Sequence, residues 1–337
     1  MGNMEQPLVT FALFAYNQKM FIREAIEGAL AQSYSPLEII LSDDCSTDGT
    51  FDLIRDIVAT YSGPHSIRLN RNPANLGIAG HLNFLMSLVK SDFVVVAAGD
   101  DISLPDRTVK LVSAWLNSGR QMKSIHSYAA DMNEHGELTG NLRRGSEDSK
   151  LSSPFEHSKT NIGVLGATHG WDMSLINNFQ PILESVVNED VILPARASIT
   201  GCVGFVSETL VKYRVGVGVS HEVSRRRASG VSTLSIALLK RPYFSSLQKF
   251  RDYKEYGVLD AYRTNFQKMR AETSFPIWLR IGHFSGMKFV FFLRRCSLLC
   301  LLWETTKFKL PKMVAIKQRI QFDLAELVGK IKKISFF

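Results

Sequence analysis

The chain lacks most features that mark a secreted or zinc-stabilised protein. Its 337 residues contain only four cysteines, which are scattered without a CxxC pair: Cys45, Cys202, Cys296 and Cys300. This cysteine usage favours a reducing compartment and argues against a structural zinc site. The first residues show no basic segment and no small-residue cleavage pattern around an apolar run, so we expect no signal peptide.

Two common nucleotide-binding signatures are also missing. No GxGxxG follows the first apolar run, which excludes the dinucleotide-binding fingerprint, and no GxxxxGK followed by Ser or Thr occurs, which excludes a P-loop. The rest of the composition is ordinary, with 45% hydrophobic and 21% charged residues. A chain of this length and composition can form one large or two modest domains with a full hydrophobic core.

Positive charge is concentrated towards the end of the chain. The net charge is +8, yet residues 241–337 carry 19 Lys and Arg against 7 Asp and Glu, which leaves residues 1–240 with a net charge of −4. We therefore predict a catalytic body in residues 1–240, with halves at 1–120 and 121–240, and a basic amphipathic helical tail in residues 241–337. A basic, apolar tail suggests an anionic surface as its partner.

The nature of that partner stays open between two alternatives. The longest uncharged run of the tail, residues 296–303, is too short to span a membrane, but the mixture of Arg, Lys, Trp and Phe is typical of an interfacial helix. This favours a cytoplasmic protein held peripherally on the inner face of the cytoplasmic membrane. The alternative is packing on the catalytic body or on a second copy, as a homo-oligomer. Nucleic acid is not expected, because no recognition motif accompanies the charge.

Short apolar runs alternate with amphipathic segments in the first hundred residues. Four runs have the length and β-branched content of buried strands, at residues 8–15, 37–42, 66–70 and 93–98. Three segments with helical spacing of apolar residues lie between them, at 21–30, 51–58 and 75–90. This alternation predicts the α/β class: a doubly wound, mainly parallel sheet flanked by helices.

Polar clusters follow three of these strands. In chain order they are Ala15 with Tyr16 and Asn17, Asp43 with Asp44, and Asp100 with Asp101. We expect them to converge, because ligands of such sheets bind beyond the carboxyl ends of the strands. Adjacent acids favour a divalent cation between them; the alternative is a solvated turn with an incidental second acid. An acidic crevice holds a diphosphate only through a metal bridge, which suits a nucleotide-sugar site.

Five segments together resemble the family 2 glycosyltransferases with the GT-A fold, of the bacterial surface-polysaccharide type. They are residues 8–17, 21–34 (FIREAIEGALAQSY), 42–50 (SDDCSTDGT), Asn75-x-Gly77 with Asn83, and 99–105 (GDDISLP). Their order and spacing match the family pattern over roughly the first 120 residues. The resemblance implies inverting transfer of a sugar from a nucleotide diphosphate sugar, by family habit a UDP-sugar, with Mg²⁺ or Mn²⁺ as cofactor.

The resemblance also assigns roles to particular residues in the first half. Asp44 would accept a hydrogen bond from the base, Asp100 would hold the ribose or the metal, and Asp101 would hold the metal. The sequence departs from the pattern at Ala98, where many members have a further Asp, so fewer protein carboxylates are available to the metal. The nucleotide pocket would be lined by Ala15, Tyr16 and Asn17.

The second half of the body resembles the acceptor side of the same family. Residues 166–171 and 188–194 carry the pattern, in which the Asp of an acid pair at the start of a helix is the catalytic base. Asp190 fits that position, because a one-step inverting displacement needs a carboxylate to take the proton of the acceptor hydroxyl. The alternatives are a plain acidic first helical turn and, for the aromatic segment, a half-buried Trp with a surface His. The residues assigned to the acceptor are His169, Trp171 and Glu189.

One further segment could contact the diphosphate. Residues 213–215 resemble a Tyr-Arg-x-His segment of the family, but Gly216 stands at the His position, and His221 is the nearest substitute. The Ser/Gly-rich stretch that follows contains three consecutive arginines. They predict either a solvated loop or a lid that neutralises the leaving diphosphate. These lid candidates are Arg225, Arg226 and Arg227.

The residues therefore favour an enzyme. We expect an inverting glycosyltransferase that moves a sugar from a nucleotide diphosphate sugar to a hydroxyl of a glycan or lipid-linked saccharide. The alternative is a catalytically inactive GT-A-like protein that binds a nucleotide sugar or an anionic surface. Retention of Asp190 together with Asp100 and Asp101 favours the enzyme, since a degenerate site would be expected to lose one of them.

Overall fold

The predicted alternation of strands and helices is present in the computed structural model, which describes residues 6–143, 149–217 and 236–281. Each apolar run forms a strand, and the polar residues after it form the turn into the next helix. The elements are β1 (Val9–Ala15), α1 (Ile22–Leu30), β2 (Leu37–Asp43), α2 (Thr50–Ala59), β3 (Ser66–Arg71), α3 (Gly77–Leu88) and β4 (Phe93–Ala98).

These four strands are parallel neighbours in the order β3-β2-β1-β4. In the centre of the sheet, Leu13 of β1 lies opposite Leu41 of β2 and Ala97 of β4. The direction of winding reverses between β1 and β4, and a crevice forms beyond the carboxyl ends of the strands at such a switch point. The prediction of a doubly wound, mainly parallel α/β fold is confirmed.

The second half of the body extends the same sheet with antiparallel and parallel strands. The elements are β5 (Ile102–Ser103), α4 (Arg107–Asn117), β6 (Met122–Met132), β7 (Leu138–Arg143), α5 (Pro154–Lys159), β8 (Gly170–Asp172), α6 (Ser174–Asn177), α7 (Glu189–Thr200) and β9 (Cys202–Arg214). Short 3₁₀ turns cover residues 149–152 and 166–168. Within the residues described, the sheet has nine strands in the order β3-β2-β1-β4-β8-β6-β9-β5, and β7 pairs with β6.

Leu104-Pro105 looks like a helix start in the sequence, but helix α4 begins at Arg107. Residues before it extend the turn and pair with β9: Ile102 lies opposite Lys212, and the Leu104 N–H donates to the Leu210 carbonyl at 2.9 Å. This pairing brings the end of β9 to the acidic turn, which we define as residues 99–101.

Both faces of the central sheet are buried. Phe11 and Leu13 of β1 are fully buried in a cluster with Ile22 of α1, and Ala12 between them is fully buried in a second cluster with Leu85 of α3. Burial of each large apolar side chain stabilises the fold by roughly 1.5–3 kcal/mol. The two faces therefore hold the strands in one register, and this fixes the positions of the turns that follow them.

Two long helices follow the body, α8 (Ile236–Glu255) and α9 (Leu259–Ile281). Tyr253 and Phe266 of this pair are fully buried in a cluster with Ala195 of α7. Arg196 of α7 and Asp252 of α8 form a buried ion pair, with Nε and Oδ2 2.8 Å apart. The start of the basic segment therefore packs on α7.

The rest of the predicted tail, residues 282–337, lies outside the described residues, and so does most of the stretch predicted to bind a membrane surface. None of the helices in the described part of the chain combines the length and hydrophobicity needed to cross a membrane.

Cys45 and Cys202 are free thiols.

Candidate active site

The turns after β1 and β2 are joined by direct hydrogen bonds. Asn17 adopts a left-handed backbone conformation (φ 49°), so its N–H reaches the Ser46 hydroxyl at 2.8 Å and its side-chain oxygen accepts from the Thr47 N–H at 2.9 Å. The Asp44 N–H donates to the Ala15 carbonyl at 2.9 Å. Tyr16 is 45% exposed beside them. The structure thus brings together the residues expected to line a nucleotide pocket.

Asp44 is buried and anchored to the start of α3. Its Oδ1 accepts from Asn72 Nδ2 at 2.8 Å and from the Leu76 N–H at 2.9 Å, and its Oδ2 accepts from the Gly77 N–H at 3.0 Å. Gly77 has φ 70°, a conformation that favours glycine. Three protein donors leave about one of the four lone-pair positions of the carboxylate for a ligand N–H.

An open groove of about 510 Å³ lies beside this anchor. Leu76, whose N–H binds Asp44, forms part of its wall. Asn83 of α3 also lines the groove, and its amide exchanges two hydrogen bonds with the backbone of Ile182, at 2.7 and 3.0 Å. The groove is lined by Asn75, Leu76, Gly80, Asn83, Phe84 and Glu184.

The acidic turn follows β4 in a crowded space. The Gly99 N–H donates to the Phe14 carbonyl at 2.9 Å, and a β-carbon at Gly99 would lie 2.5 Å from Gln18 Oε1, so a larger residue there would displace the Gln18 side chain. Burial raises the pKa of Asp100, although a hydrogen bond from Gln18 opposes the shift. Burial, together with the neighbouring Asp100, raises the pKa of Asp101 to about 8. Without a cation the pair therefore retains a proton at neutral pH.

Two buried arginines flank Asp101. The Arg214 backbone N–H donates to Asp101 Oδ1 at 2.8 Å, and the guanidinium of Arg107 donates to Ser103 Oγ at 2.8 Å and to the Val96 carbonyl at 2.6 Å. Burial lowers the pKa of Arg107 to about 9, and the charge of Asp101 opposes that shift. Both arginines in turn favour the ionised form of Asp101. The carboxylate therefore becomes a stronger metal ligand than its burial alone would allow.

The donor set suits a divalent ion only in part. Among the described residues, no group of three or more His, Cys, Asp or Glu side chains could hold a metal ion. Asp100 and Asp101 supply two carboxylates, and Ala98 occupies the place of a third. Mg²⁺ takes about six oxygen ligands and readily keeps waters and substrate phosphates among them. These residues thus fit an ion that draws most of its ligands from a bound diphosphate and water.

A second, half-buried acid pair opens α7. Glu189 is the first residue of the helix, and the Asp190 carbonyl accepts from the Val164 N–H at 3.0 Å. Burial and the charge of Asp190 raise the pKa of Glu189 to about 8. Burial raises the pKa of Asp190 to about 6, and the charge of Arg241 on α8 opposes the rise. A carboxylate with this pKa is mostly ionised at neutral pH and can still accept a proton, as a general base must.

The two acid pairs lie around the same end of β4. The Val96 N–H of β4 donates to the His169 carbonyl at 3.1 Å, which places the turn at residues 166–169 beside the strand. A β-carbon at Gly166 in that turn would lie 3.3 Å from Glu189 Oε1 and 3.9 Å from Asp190 Oδ2. One turn therefore links the end of β4 to the start of α7.

His169 and Trp171 are both inside the protein. They are 0% and 1% exposed, their rings pack edge to face at 5.0 Å, and His169 Nε2 is 2.7 Å from Ser124 Oγ. Burial lowers the pKa of His169 to about 3, so its ring is neutral. In this conformation neither side chain is accessible to an acceptor. The alternative interpretation, a half-buried Trp with a surface His, does not match the structure either, because both side chains are buried. Their contact with an acceptor stays a prediction, whereas their structural role in the turn is visible.

The structure describes Arg214 but not the residues predicted to form a lid. The side chain of Arg214 is 2% exposed and points into the protein. Gly216 follows with φ 88°, a conformation that a His would rarely adopt. The predicted lid lies outside the described residues: His221, Arg225, Arg226 and Arg227.

Three residues of the site escaped sequence reasoning. Gln18 contacts Asp100, Arg107 lies beside Asp101, and Arg241 lies near Asp190. The signal for Gln18 was its position directly after Asn17 at the end of β1. No sequence signal connects Arg241 with an acid fifty-one positions earlier, because only the packing of α8 on α7 brings them together.

The reversal of winding between β1 and β4, with acidic turns after β2 and β4, is the arrangement expected of a GT-A fold. Residues 10–163 match the family model described as Glycosyl transferase family 2. Residues 10–163 are thus similar to the family 2 glycosyltransferases.

Two curated relatives illustrate the similarity. EpsE of Bacillus subtilis (strain 168) is 35% identical over 130 residues, which cover 39% of this chain and 46% of that protein. The chondroitin synthase of Pasteurella multocida (strain Pm70) is 26% identical over 189 residues, 56% of this chain and 18% of that protein. The chain thus spans less than half the length of either relative.

Two solved structures share the fold. A mannosyltransferase from Pyrobaculum calidifontis, PcManGT, in complex with GDP-Man and Mn²⁺, has a TM-score of 0.52 at 16% identity, over 91% of this chain and 82% of that one. S. aureus TarS 1–349, in complex with UDP-GlcNAc, has a TM-score of 0.51 at 14% identity, over 77% of this chain and 72% of that one. At these identities the likeness establishes the fold alone.

Proposed function

We propose that the chain transfers a sugar from a nucleotide diphosphate sugar, preferably a UDP-sugar, to a hydroxyl of a glycan or lipid-linked saccharide, with inversion at the anomeric carbon. The observation that carries the proposal is the pair of largely enclosed acid clusters around the end of β4, in which Asp101 is buried and the other three acids are half-buried. One cluster, at Asp100 and Asp101, suits a metal-bridged diphosphate. The other, at Glu189 and Asp190, contains a carboxyl whose pKa of about 6 suits a base. Similar folds in complex with GDP-Man and UDP-GlcNAc support this type of donor.

The donor would bind across the turns after β1, β2 and β4. Asp44 would accept the base N–H with its remaining lone pair, while Tyr16 and Asn17 border the nucleotide. Asp101, with Asp100, would hold Mg²⁺ or Mn²⁺ together with the diphosphate. The bound ion supplies charge neutralisation for the leaving diphosphate. Since the diphosphate would itself supply ligands, we expect metal affinity to depend strongly on the presence of the nucleotide.

The transfer itself would be a single displacement. Asp190 accepts the proton of the acceptor hydroxyl while that oxygen forms its bond to the anomeric carbon. The bond from the anomeric carbon to the phosphate oxygen breaks, and the nucleoside diphosphate leaves with the electron pair. Attack from the face opposite the leaving group inverts the configuration. Because the pKa of Glu189 is about 8, its carboxyl is protonated at neutral pH, and the pair of Glu189 and Asp190 carries a single negative charge. Asp190 is therefore the group that gains the proton.

Donor hydrolysis across a panel of UDP-, GDP- and TDP-sugars with Mn²⁺ tests the proposal. We expect the wild-type protein to hydrolyse at least one donor. Asp101→Asn should reduce the rate by about a hundredfold or more, because it removes charge at the developing diphosphate. Asp106→Asn is a matched control and should leave the rate unchanged, because Asp106 is an exposed neighbour whose carboxylate accepts from the Ser33 hydroxyl at 3.0 Å.

The same panel separates the alternative function. A wild-type protein that binds a nucleotide sugar but never turns it over would be a binding protein with a GT-A fold. A protein that neither binds nor hydrolyses any donor would contradict the proposal altogether.

We further propose that the basic segment beyond residue 281 contacts an anionic membrane surface, which would place the enzyme beside a lipid-linked acceptor. The concentration of Lys and Arg in residues 241–337 supports this. The full chain should sediment with vesicles that contain anionic phospholipid, less so as salt rises from 0.05 to about 0.5 M, since salt screens the attraction. Equal sedimentation with purely zwitterionic vesicles would contradict it.

A further inference from the structure

One buried arginine joins four parts of the fold beside the acidic turn. Arg214 is the last residue of β9, and its Nε donates to the Asp100 carbonyl at 3.0 Å. Its Nη1 donates to the carbonyls of Asn133 and Glu134, at 3.1 and 2.9 Å, in the turn after β6. Its Nη2 lies 2.8 Å from Glu24 Oε2 of α1. The guanidinium therefore links β9, α1, the turn after β6 and the acidic turn.

The backbone of Arg214 contacts the other acid of the turn. Its N–H donates to Asp101 Oδ1 at 2.8 Å, and the next residue, Val215, donates its N–H to the Met132 carbonyl at 2.9 Å. The guanidinium stacks over the ring of Phe21, and its central carbon, Cζ, lies 4.8 Å from the centre of that ring. Arg214 is thus held at both ends, and it contacts Asp100 through its side chain and Asp101 through its backbone.

These contacts leave little of Arg214 for a ligand. Four of its five N–H groups bind protein oxygens, and the side chain is 2% exposed. A diphosphate contact would require several of these bonds to break together. The contacts suit a group that fixes the position of its neighbours.

We propose that Arg214 is a positioning residue of the donor site, which holds the acidic turn so that Asp101 faces the metal-bound diphosphate, and that it is not a ligand of the diphosphate. This inference rests on the proposed function for its consequence, but the restraint on the turn can be measured without it. Accurate placement matters more here than in a site with three carboxylates, because Ala98 supplies none.

Hydrogen exchange of the full-length protein without nucleotide tests the restraint directly. Arg214→Gln should speed amide exchange in a peptide covering residues 99–103 at least tenfold. Arg143→Gln is the matched control: Arg143 pairs with Asp131 of β6 and lies over the ring of Tyr213, the residue before Arg214, and none of its described contacts reaches the acidic turn. It should change exchange in that peptide less than twofold. Unchanged protection of residues 99–103 in Arg214→Gln would overturn the proposal.

Nucleotide binding then separates positioning from direct contact. We would titrate UDP and GDP into each variant with Mn²⁺ and in EDTA. The positioning role predicts that Arg214→Gln raises the Mn²⁺ concentration for half-maximal binding at least tenfold, with binding in EDTA changed less than twofold. An equal loss in EDTA would show that Arg214 contacts the diphosphate itself. If the wild-type protein binds no nucleotide at all, the proposed function fails, while the exchange experiment still decides the restraint.

Two milder variants guard against loss of folding. Arg214→Lys keeps the charge but cannot reach four acceptors, so it should behave like Arg214→Gln in both experiments. Glu24→Gln keeps a neutral acceptor for Nη2 and should give changes of two- to fivefold in the same direction. Folded Arg214→Lys protein with wild-type exchange and metal dependence would overturn the proposal even if Arg214→Gln does not fold.

Discussion

The charge of Arg241 offers a sharp test of the role given to Asp190. Arg241 lies on α8, outside the sheet, and opposes the rise that burial causes in the pKa of Asp190, which settles at about 6. Removing an opposite charge raises the pKa of a neighbouring carboxyl by roughly one unit at the low end of the usual range. Arg241→Gln should therefore move the acidic limb of the activity profile from about pH 6 to about pH 7.

The size of the effect depends on pH in a characteristic way. At pH 6 the ionised fraction of Asp190 falls from about one half to about one tenth, so kcat/KM for donor hydrolysis should fall roughly fivefold. At pH 8 more than about nine tenths is ionised in both proteins, and the rates should agree. Arg251→Gln on the same helix is the control, because Arg251 is partly exposed and pairs with Glu255. An unshifted limb in Arg241→Gln, or an equal loss at every pH, would refute this reasoning.

Three further predictions follow from buried polar groups. The folded pKa of Glu189 is raised to about 8, so ionising it destabilises the fold as pH rises from about 4.5. Between pH 5 and pH 8 the free energy of unfolding of Glu189→Gln, measured in denaturant titrations, should therefore rise relative to wild type by roughly 3–4 kcal/mol. Lys249 donates to the carbonyls of His157 and Thr160, and burial lowers its pKa to about 7. Above that pH the native state therefore binds fewer protons than the unfolded chain. The free energy of unfolding of wild type, relative to that of Lys249→Met, should rise from pH 7 to pH 10. Asp44→Asn turns an amide towards the N–H groups that donate to the carboxylate, which should lower the free energy of unfolding by about 1–3 kcal/mol. The same variant should bind nucleotide at least tenfold more weakly in calorimetry. Wild-type affinity would contradict the role of Asp44.

The strands of the first half could be predicted because their signal is local. Phe93–Ala98 is an unbroken apolar run that ends at a glycine, and the structure gives the same bounds for β4. The polar turns after β1, β2 and β4 could be predicted to meet, because parallel strands end at one edge of a sheet. The fold and the convergence of the donor-side acids therefore required no knowledge of distant contacts.

The rest of the site depends on such contacts. The sequence offered a surface His or an acceptor contact at position 169, but Ser124 and Trp171 enclose His169 in the core. Arg214 lies in a segment that the sequence related to a diphosphate contact, but only the folded chain shows that its side chain meets Glu24, 190 positions earlier. Burial and partners of this kind arise from the packing of elements that are far apart in sequence, so residue type and spacing carry no trace of them.

The burial of both acid pairs has a common consequence for the enzyme proposed here. Carboxyl groups held in low-dielectric surroundings resist ionisation, so the empty site carries less charge than its sequence suggests. A cation at one pair and an acceptor proton at the other would then meet groups with altered proton affinities. The same features that cost folding stability would thus prepare the site for chemistry.

The central claim, inverting glycosyl transfer at this site, is tested most directly by the anomeric configuration of the released sugar. Proton NMR spectra recorded in the first minutes of donor hydrolysis, before mutarotation, distinguish the two anomers. Inverting transfer with Asp190 as the base predicts that the first sugar to appear has the configuration opposite to that of the donor, and that Asp190→Asn releases it about 10²- to 10⁴-fold more slowly. Release of the sugar with the configuration of the donor, or an unchanged rate in Asp190→Asn, would contradict it.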